Sequence, residues 1–162
     1  MLTTQTRAAG TSALIRGATM ADLSAVERLL GENQLPVDGV REALGAFLVA
    51  ESGGTLVGVA GLEVCREHAL LRSVAVVPAW RSKGLGRQLV TRIIASAESR
   101  GIQALYLLTT TAERYFPSFG FECITRDEVP ADVQTTGEFQ GACPASATVM
   151  RRPLSSTSRS TR

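Results

Sequence analysis

Apolar residues recur with the spacing of an amphipathic helix in two stretches of the chain, residues 19–30 and 85–100. The stripe of the longer stretch consists of Leu85, Leu89, Ile93 and Ala97. Gly101 follows this stretch, and a glycine commonly ends a helix. The pattern therefore predicts two main helices. Shorter helices are predicted over residues 36–44 and 111–116.

Short apolar runs between turn residues predict strands. These runs are residues 13–16, 47–50, 55–63, 70–77, 104–108, 123–124 and 147–150. The second and third runs read as a hairpin, and Gly58 and Gly61 in the third indicate a bulge or a close backbone approach. The run 70–77 is apolar on both faces apart from Arg72 and Ser73, which is typical of a central buried strand. The order of elements predicts an α/β protein with layers around a mixed sheet.

Gly84 and Gly86 lie where the long helix begins, after the turn that follows the run 70–77. The backbone N–H groups of a first helical turn bind anions, and glycine lets a phosphate approach the backbone closely. Residues 69–97 contain five basic side chains and no acidic one. The basic side chains are Arg72, Arg81, Lys83, Arg87 and Arg92. We therefore predict a ligand that carries phosphate groups; ordinary turn chemistry is the alternative explanation of the glycines.

The composition is that of a globular domain. The chain has 162 residues, of which 44% are hydrophobic and 20% are charged. We expect one domain over residues 13–154 and disordered tails over residues 1–12 and 155–162, which are polar and aperiodic. Residues 13–154 contain 14 basic and 15 acidic side chains, so we expect no nucleic-acid partner. No apolar run reaches membrane-spanning length, so we expect no membrane partner.

The cysteines and the histidine give little support to a metal centre. Cys65, Cys123 and Cys143 follow no ligand spacing, and His68 is the only histidine. We interpret the cysteines as reduced thiols, which is typical of a cytoplasmic protein. We expect no metal and no Ser-His-Asp triad.

Two segments resemble motifs of one enzyme family. Residues 81–86, Arg-Ser-Lys-Gly-Leu-Gly, resemble the acyl-CoA-binding motif of the GNAT N-acetyltransferases, Gln/Arg-x-x-Gly-x-Gly/Ala. Residues 115–121, Tyr-Phe-Pro-Ser-Phe-Gly-Phe, resemble the family segment in which two aromatic residues precede Gly-Phe. The resemblance covers roughly residues 13–154. It implies the GNAT fold, which is a mixed, mostly antiparallel sheet with a central, splayed parallel strand pair and flanking helices.

The resemblance also implies that the protein uses acetyl-CoA. Its pantetheine arm would lie along residues 74–76 between the splayed strands, and the motif amides would hold the pyrophosphate. A backbone N–H near Val74 would polarise the thioester carbonyl, and the acetyl group would pass directly to an amine without a cysteine nucleophile. The cofactor-binding residues expected on this basis are Val74, Ala75, Val76, Arg81, Ser82, Lys83, Gly84, Leu85, Gly86, Arg87 and Phe116.

The chain departs from the family pattern at one position. Many members have a tyrosine, four residues before the glycine of Gly-Phe, that protonates the leaving thiolate; here that residue is Phe116. Tyr115 is one place earlier, and adjacent helical positions face different directions. We take Tyr115 as the candidate general acid, with a packing or surface tyrosine as the alternative.

Other segments resemble narrower groups of the family. Residues 71–76, residues 107–111 and Phe116 before residues 119–121 resemble the acetyltransferase domain of N-acetylglutamate synthases. Residues 138–147 resemble the short N-acetyltransferases of bacterial arsenic-resistance operons. These resemblances imply acetyl transfer to the α-amino group of a glutamate-like amino acid, of the arsinothricin or phosphinothricin type. We also expect a homodimer.

The acceptor site is predicted from polar residues near the splayed strands. Arg72 suits a carboxylate, arsinate or phosphinate, because its planar fork binds such groups in a bidentate manner. An ion pair with Glu51 or Glu63 is the alternative role of Arg72. Glu63 is the candidate base, directly or through a water, and a surface residue at the end of a strand is its alternative.

Three consecutive threonines follow the strand over residues 104–108. The hydroxyl groups of Thr109, Thr110 and Thr111 are expected to hold a catalytic water or the substrate, or to cap the next helix. Arg41 is a candidate second contact for a substrate anion, with a solvated arginine as the alternative.

Three hypotheses for the function follow. The first is an N-acetyltransferase of glutamate-like amino acids that acts in arsenic resistance. The second is a stand-alone N-acetylglutamate synthase for arginine biosynthesis. The third is a non-catalytic acyl-CoA-binding module, because Phe116 occupies the place of the usual acid.

Overall fold

The structure is a computed structural model that describes residues 12–155. The tails predicted over residues 1–12 and 155–162 lie outside the described residues, apart from Ser12 and Ser155. The described part of the chain forms one mixed sheet with helices against both faces. This architecture confirms the predicted α/β layers.

The sheet has seven strands in the order β1-β2-β3-β4-β5-β7-β6. They are β1 (Leu14–Gly17), β2 (Leu48–Ser52), β3 (Thr55–Cys65), β4 (His68–Val76), β5 (Ala104–Thr109), β6 (Glu122–Ile124) and β7 (Thr148–Pro153). Neighbouring strands among the described residues are antiparallel, except that β4 and β5 are parallel. The mostly antiparallel sheet with a central parallel pair is therefore confirmed.

The helices are α1 (Leu23–Glu32), α2 (Val40–Ala43), α3 (Leu85–Ser99) and α4 (Ala131–Gln134). Helix α3 is the crossover between β4 and β5, since parallel strands need a long connection. Its predicted stripe is buried against one face of the sheet, and each buried leucine contributes roughly 1.5–3 kcal/mol. Helix α1 covers the other face, where it packs with Phe47, Val49 and Val59.

Two glycines of β3 let the layers approach closely. A Cβ on Gly61 would overlap the ring of Phe47, and a Cβ on Gly58 would come within 3.0 Å of Leu89 Cδ1. The register between β3 and β4 also shifts between Val59 and Gly61. Both alternatives predicted for these glycines, close approach and a bulge, are therefore present.

Two of the short helices predicted from the sequence are wrong in extent. Residues 111–116 do not form a helix; they form a turn that leads into a 3₁₀ helix over Phe116–Phe119. Pro117 suits the first turn of that short helix but could not donate a hydrogen bond inside a longer one. The helix predicted over residues 36–44 begins only after Gly39, whose φ of 79° is left-handed.

Candidate active site

The parallel strands β4 and β5 separate after a short paired segment. Their pairing ends at Leu70 and Tyr106. Beyond that point β4 continues to pair with β3 as far as Val76, and β5 continues to pair with β7 as far as Thr109. The edges of β4 and β5 that face each other are therefore unpaired over these residues. This separation is the predicted splay.

The gap between the strands opens into a cavity of about 220 Å³. Most of its lining is apolar, and Val74 of β4 and Leu107 of β5 lie on its walls. The predicted site residues that line it are Arg72, Val74, Thr109, Thr111, Tyr115 and Phe116. The fold thus brings together residues from β4, from β5 and from the aromatic segment after it.

A bulge in β4 lies beside the cavity. Arg72 pairs with Gly61 and Ala75 pairs with Val59, so Ser73 and Val74 together oppose a single residue of β3. Ser73 has a left-handed φ of 62°, a conformation that costs a non-glycine residue on the order of 1–3 kcal/mol. A bulge leaves the extra residue out of the strand ladder. The backbone near Val74 is therefore available to a ligand in the gap.

The turn between β4 and α3 presents free backbone amides. Ser82 and Gly84 have left-handed φ angles of 67° and 84°, and the helix begins at Leu85. Among the described residues, no backbone acceptor is found for the N–H groups from Ser82 to Arg87. Free amides at the N-terminus of a long helix form an anion site, because the helix dipole adds positive potential there. This is the geometry that the glycine motif predicts.

The basic residues of the motif differ in their surroundings. Arg81 Nε donates to the carbonyl of Val76 at 2.9 Å, and Arg81 Nη2 donates to Asn33 Oδ1 at 2.8 Å. Arg81 therefore links the turn to β4 and to Asn33, the residue that follows α1. Arg87 donates to Ser118 Oγ at 3.0 Å and lies over the ring of Phe119. Both arginines and Lys83 are exposed, so they add positive charge at the mouth of the site.

Two residues predicted to contact the arm of the cofactor do not line the cavity with their side chains. Ala75 is buried on the opposite face, where it packs with the residues around α1. Val76 packs instead at the edge of the core that includes α3. The predicted pairing of these two residues with an extended arm would therefore involve their backbone.

The guanidinium of Arg72 is fully buried and held by the protein. Nη1 donates to Glu63 Oε1 at 2.8 Å, Nη2 donates to the carbonyl of Pro36 at 3.2 Å, and Nε donates to Ser73 Oγ at 2.9 Å. Glu138 Oε2 lies 3.5 Å from Nε. The ion pair with Glu63, the alternative predicted for Arg72, is therefore present, although Arg72 still lines the cavity.

Other predicted site residues lie outside the cavity. Glu63 faces the cleft near Gly39 on the outer side of Arg72, and Glu51 pairs with Arg16 at 2.7 Å. Arg41 and Thr110 are exposed and do not line the cavity. Thr109 and Thr111 do line it.

Thr109 also has a structural role. Its Oγ1 accepts hydrogen bonds from the backbone N–H of Ala112 at 2.9 Å and of Thr111 at 3.3 Å. The predicted capping function of this hydroxyl is therefore observed, although what it caps is a turn.

Tyr115 lies between the cavity and the phosphate turn. Its hydroxyl is 3.4 Å from the point at which a Cβ on Gly86 would stand. Burial raises the pKa of the Tyr115 phenol, so it is protonated at neutral pH. Phe116 instead packs edge-on against Phe121 in the core and also lines the cavity. Tyr115 is thus the aromatic residue of this pair that can give up a proton.

Glu138 and Cys143 are site residues that sequence reasoning missed. Both line the cavity, and Glu138 is 4% exposed. Burial raises the pKa of the Glu138 carboxyl, and Arg72 opposes this effect. Burial also raises the pKa of the Cys143 thiol to about 12. The two residues belong to an irregular segment around the helical turn Glu138–Ala142, which has no periodicity from which their burial could have been predicted.

Two structural observations concern other classes of site. Within residues 12–155, no group of three or more His, Cys, Asp or Glu side chains is placed to hold a metal ion. None of the helices in that part of the chain is long and apolar enough to cross a membrane.

Proteins with related sequences carry acetyltransferase names. An "Amino-acid acetyltransferase" of Aeromonas salmonicida is 30% identical over 134 residues, which are 77% of this chain and 30% of that protein. An uncharacterized N-acetyltransferase of Chlorobaculum tepidum is 28% identical over 127 residues, 74% of this chain and 81% of that protein. The chain thus spans about 30% of the length of the first of these relatives.

Solved structures share the fold. N-acetylglutamate synthase from Neisseria gonorrhoeae, complexed with coenzyme A and N-acetyl-glutamate, superposes with a TM-score of 0.76 at 24% identity, over 89% of this chain and 35% of that one. Rv2747 from Mycobacterium tuberculosis, in complex with CoA and NLQ, superposes with a TM-score of 0.75 at 24% identity, over 88% of this chain and 99% of that one.

The family itself follows from a match along the sequence. Residues 20–121 match the sequence model of the "Acetyltransferase (GNAT) family". The matched range includes the splayed strands, the phosphate turn and α3, and it covers more than half of the chain. This chain belongs to the GNAT family of acetyltransferases.

Proposed function

We propose that this protein transfers the acetyl group of acetyl-CoA to the α-amino group of a glutamate-like amino acid, of the arsinothricin or phosphinothricin type. The observation that carries the proposal is that the free amides of the phosphate turn and the cavity between β4 and β5 lie on two sides of one residue, Tyr115, which lines the cavity and whose hydroxyl is 3.4 Å from the Cβ position of Gly86. Solved relatives of the same fold are complexed with coenzyme A, and one also contains N-acetyl-glutamate. Curated relatives are named amino-acid acetyltransferases.

In this proposal the pyrophosphate of acetyl-CoA binds the amides between Ser82 and Arg87. The pantetheine arm extends along the unpaired edge of β4, and the thioester carbonyl accepts a hydrogen bond from the backbone near Val74. Tyr115 donates a proton toward the departing thiolate. Transfer is direct, since a thiol such as Cys143, with a pKa of about 12, is a poor nucleophile at neutral pH.

The acceptor would bind in the cavity against Arg72 and Thr111, which both line it. Because Arg72 already pairs with Glu63, an anionic group of the acceptor would share the guanidinium rather than capture it. Thr109 and Thr111 add hydroxyl groups on the β5 side. We further propose that the protein acts in the cytoplasm and that it is a homodimer. Sedimentation of the purified protein can test the homodimer.

A stand-alone N-acetylglutamate synthase is the second candidate. It is favoured by the curated relatives named amino-acid acetyltransferase and by the fold shared with N-acetylglutamate synthase. The two candidates share the chemistry and differ in the group at the end of the acceptor side chain. Relative efficiency on glutamate and on its arsenic and phosphorus analogues separates them.

The experiment is thiol release from acetyl-CoA with glutamate, phosphinothricin and arsinothricin as acceptors. The proposal predicts turnover with kcat/KM higher for the arsenic or phosphorus analogue than for glutamate. The reverse order would favour the synthase. If none of the three acceptors led to thiol release while a polyamine or an aminoglycoside did, the proposed acceptor class would be wrong.

Arg72→Lys is the informative variant in this assay. Lysine keeps the charge that balances the buried carboxylates but lacks the planar fork of arginine. We expect a raised KM for the acceptor and an unchanged KM for acetyl-CoA. Equal changes in both constants would indicate that Arg72 acts on the fold and not on the acceptor.

A further inference from the structure

We propose that Glu138 is the base that takes a proton from the acceptor ammonium, and that Glu63 does not have this role. The inference rests on the proposed function, because it assumes that an amine enters the cavity between β4 and β5. It concerns a residue 66 positions from Arg72 along the chain, in a segment that no strand or long helix contains.

Glu138 lies where a base would have to act. Glu138 lines the same cavity as Val74, beside which the thioester carbonyl is proposed to lie. Its side chain is almost wholly buried, so its carboxylate is directed into the protein and not toward bulk water. A base must reach the amine while the amine is in line with the acetyl carbon. Glu138 is the acidic residue among those that line this cavity.

The other ionisable groups on the cavity wall are excluded as the base. These groups are Arg72, Tyr115 and Cys143. An arginine cannot lose its proton in a protein. Burial raises the pKa of the Tyr115 phenol and of the Cys143 thiol, the latter to about 12, so both are protonated at neutral pH. None of the three can therefore accept a proton.

Two carboxylates lie beside Arg72. Glu63 accepts a hydrogen bond from Nη1 at 2.8 Å, which is the length of a strong charge-assisted bond. Glu138 is 3.5 Å from Nε, and that nitrogen already donates to Ser73. Glu63 also opens toward the cleft near Gly39, outside the cavity. Glu63 is therefore the counter-ion of Arg72, whereas Glu138 keeps acceptor capacity for a ligand.

The surroundings of Glu138 make its carboxylate a stronger base than that of an exposed glutamate. Burial raises its pKa, the Arg72 charge and a hydrogen bond from the Cys143 thiol oppose the rise, and the Glu63 and Asp38 charges add to it. A carboxylate with a raised pKa takes a proton from an ammonium group more readily than an ordinary one does. The negative charge also attracts the ammonium into a mostly apolar cavity.

The proposed step balances as follows. One N–H bond of the acceptor ammonium breaks, and the proton moves to the Glu138 carboxylate. The freed electron pair of nitrogen forms the N–C bond to the acetyl carbon, and the C–S bond breaks as the tetrahedral intermediate collapses. Tyr115 gives its proton to the sulfur, which departs as the CoA thiol, and the second proton of the nitrogen restores the Tyr115 phenol. Glu138 then returns its proton to water. The products are the N-acetyl amine, the thiol and one released proton.

The test is the pH profile of Glu138→Gln with whichever amine the wild-type enzyme acetylates. Glutamine keeps the shape and can still accept the hydrogen bond from Cys143. We expect kcat/KM for the acceptor to fall by about 100-fold or more, which is the usual contribution of a positioned base. The acidic limb of the profile should vanish, and the remaining rate should rise with pH as the free amine forms in solution. The Kd of acetyl-CoA should not change.

Asp38→Asn is the matched control, because it also replaces a nearby carboxylate with an amide. Asp38 is not a cavity residue, and its charge raises the pKa of Glu138. We expect this variant to keep the plateau rate and to move the acidic limb slightly to lower pH. An equal loss of rate in Asp38→Asn would show that charge, and not proton transfer at Glu138, controls the reaction.

Other outcomes separate this inference from the proposed function. The role of Glu138 as the base would be wrong if Glu138→Gln kept the acidic limb of the pH profile, or if its kcat/KM for the acceptor stayed within about threefold of wild type. The proposed acetyl transfer would not be affected by either result. If Glu138→Gln fails to bind acetyl-CoA, Glu138→Asp decides: a shifted acidic limb supports the base, and an unshifted limb overturns it. Wild-type turnover of an amine other than an anionic amino acid removes the proposed acceptor and leaves the test of Glu138 intact.

Discussion

Replacing Gly86 with valine would test whether the phosphate turn holds the diphosphate of acetyl-CoA. Gly86 lies in the first turn of α3, where its amide has no backbone acceptor among the described residues. A Cβ there would stand 3.4 Å from the Tyr115 hydroxyl and 3.8 Å from Val76 Cγ2. One methyl group fits within these distances, whereas the two further methyl groups of valine would crowd the space beside the Gly86 amide, where a phosphate must approach.

The expected loss of affinity for acetyl-CoA can be calculated from the hydrogen bonds between the turn amides and a phosphate. A hydrogen bond to a charged group contributes about 1.5–3 kcal/mol. Losing one such bond from the turn to a phosphate would raise the KM or Kd of acetyl-CoA by roughly tenfold to a hundredfold. The helix itself should not suffer, because the φ of Gly86 is not left-handed and valine forms helices somewhat better than glycine does.

The assay compares Gly86→Val with Gly86→Ala, because the family motif accepts alanine at this position. Isothermal titration measures the affinity for CoA, and steady-state kinetics gives the KM of each substrate. Only the valine variant should bind CoA more weakly and have a raised KM for acetyl-CoA. The KM of the acceptor and the melting temperature should stay near those of the wild type. Unchanged CoA affinity in Gly86→Val would refute the assignment of this turn to the diphosphate.

Two further predictions concern stability. Gly61→Ala should lower the free energy of unfolding by about 1–3 kcal/mol, because the new Cβ would overlap the Phe47 ring. Gly31→Ala is the control, since no atom lies within 4 Å of its Cβ position. Urea denaturation measures the free energy of unfolding of both variants. The hydrogen bonds from Arg16 lower the pKa of Asp22 from 3.8 to about 2, so this carboxylate stabilises the fold above pH 3.8 and loses that effect as the pH falls through about 2. Asp22→Asn should be less stable than wild type by about 1 kcal/mol at pH 7. The difference should shrink as the pH falls from 3.8 through about 2, and a difference that stays constant over this range would contradict the assignment.

The sequence predicted well those features that depend on neighbours along the chain. The stripe of α3, its stop at Gly101 and the glycines before it are local patterns, and the structure has a helix over Leu85–Ser99 after a turn with free amides. The strands were also found, because runs of apolar residues between turns are local signals. The resemblance to GNAT motifs then gave the family.

The sequence failed where contacts join distant segments. The short helix over residues 111–116 was predicted from local preference, but the chain there forms a turn in which Thr109 accepts backbone hydrogen bonds, and a 3₁₀ helix begins only at Phe116. Arg72 was predicted to contact a substrate anion or to pair with Glu51 or Glu63. The structure shows the pair with Glu63, which depends on contacts between distant strands and not on local sequence.

What the sequence by itself determined is the order of elements, the phosphate turn and the family, because periodicity and turn chemistry act over a few residues. What the tertiary structure decided is the composition of the cavity between β4 and β5. Glu138 reaches this cavity from an irregular segment, and Glu63 is held outside it by Arg72. Such placements depend on how far the strands separate and on which charges fold against each other, and neither quantity is encoded in local spacing.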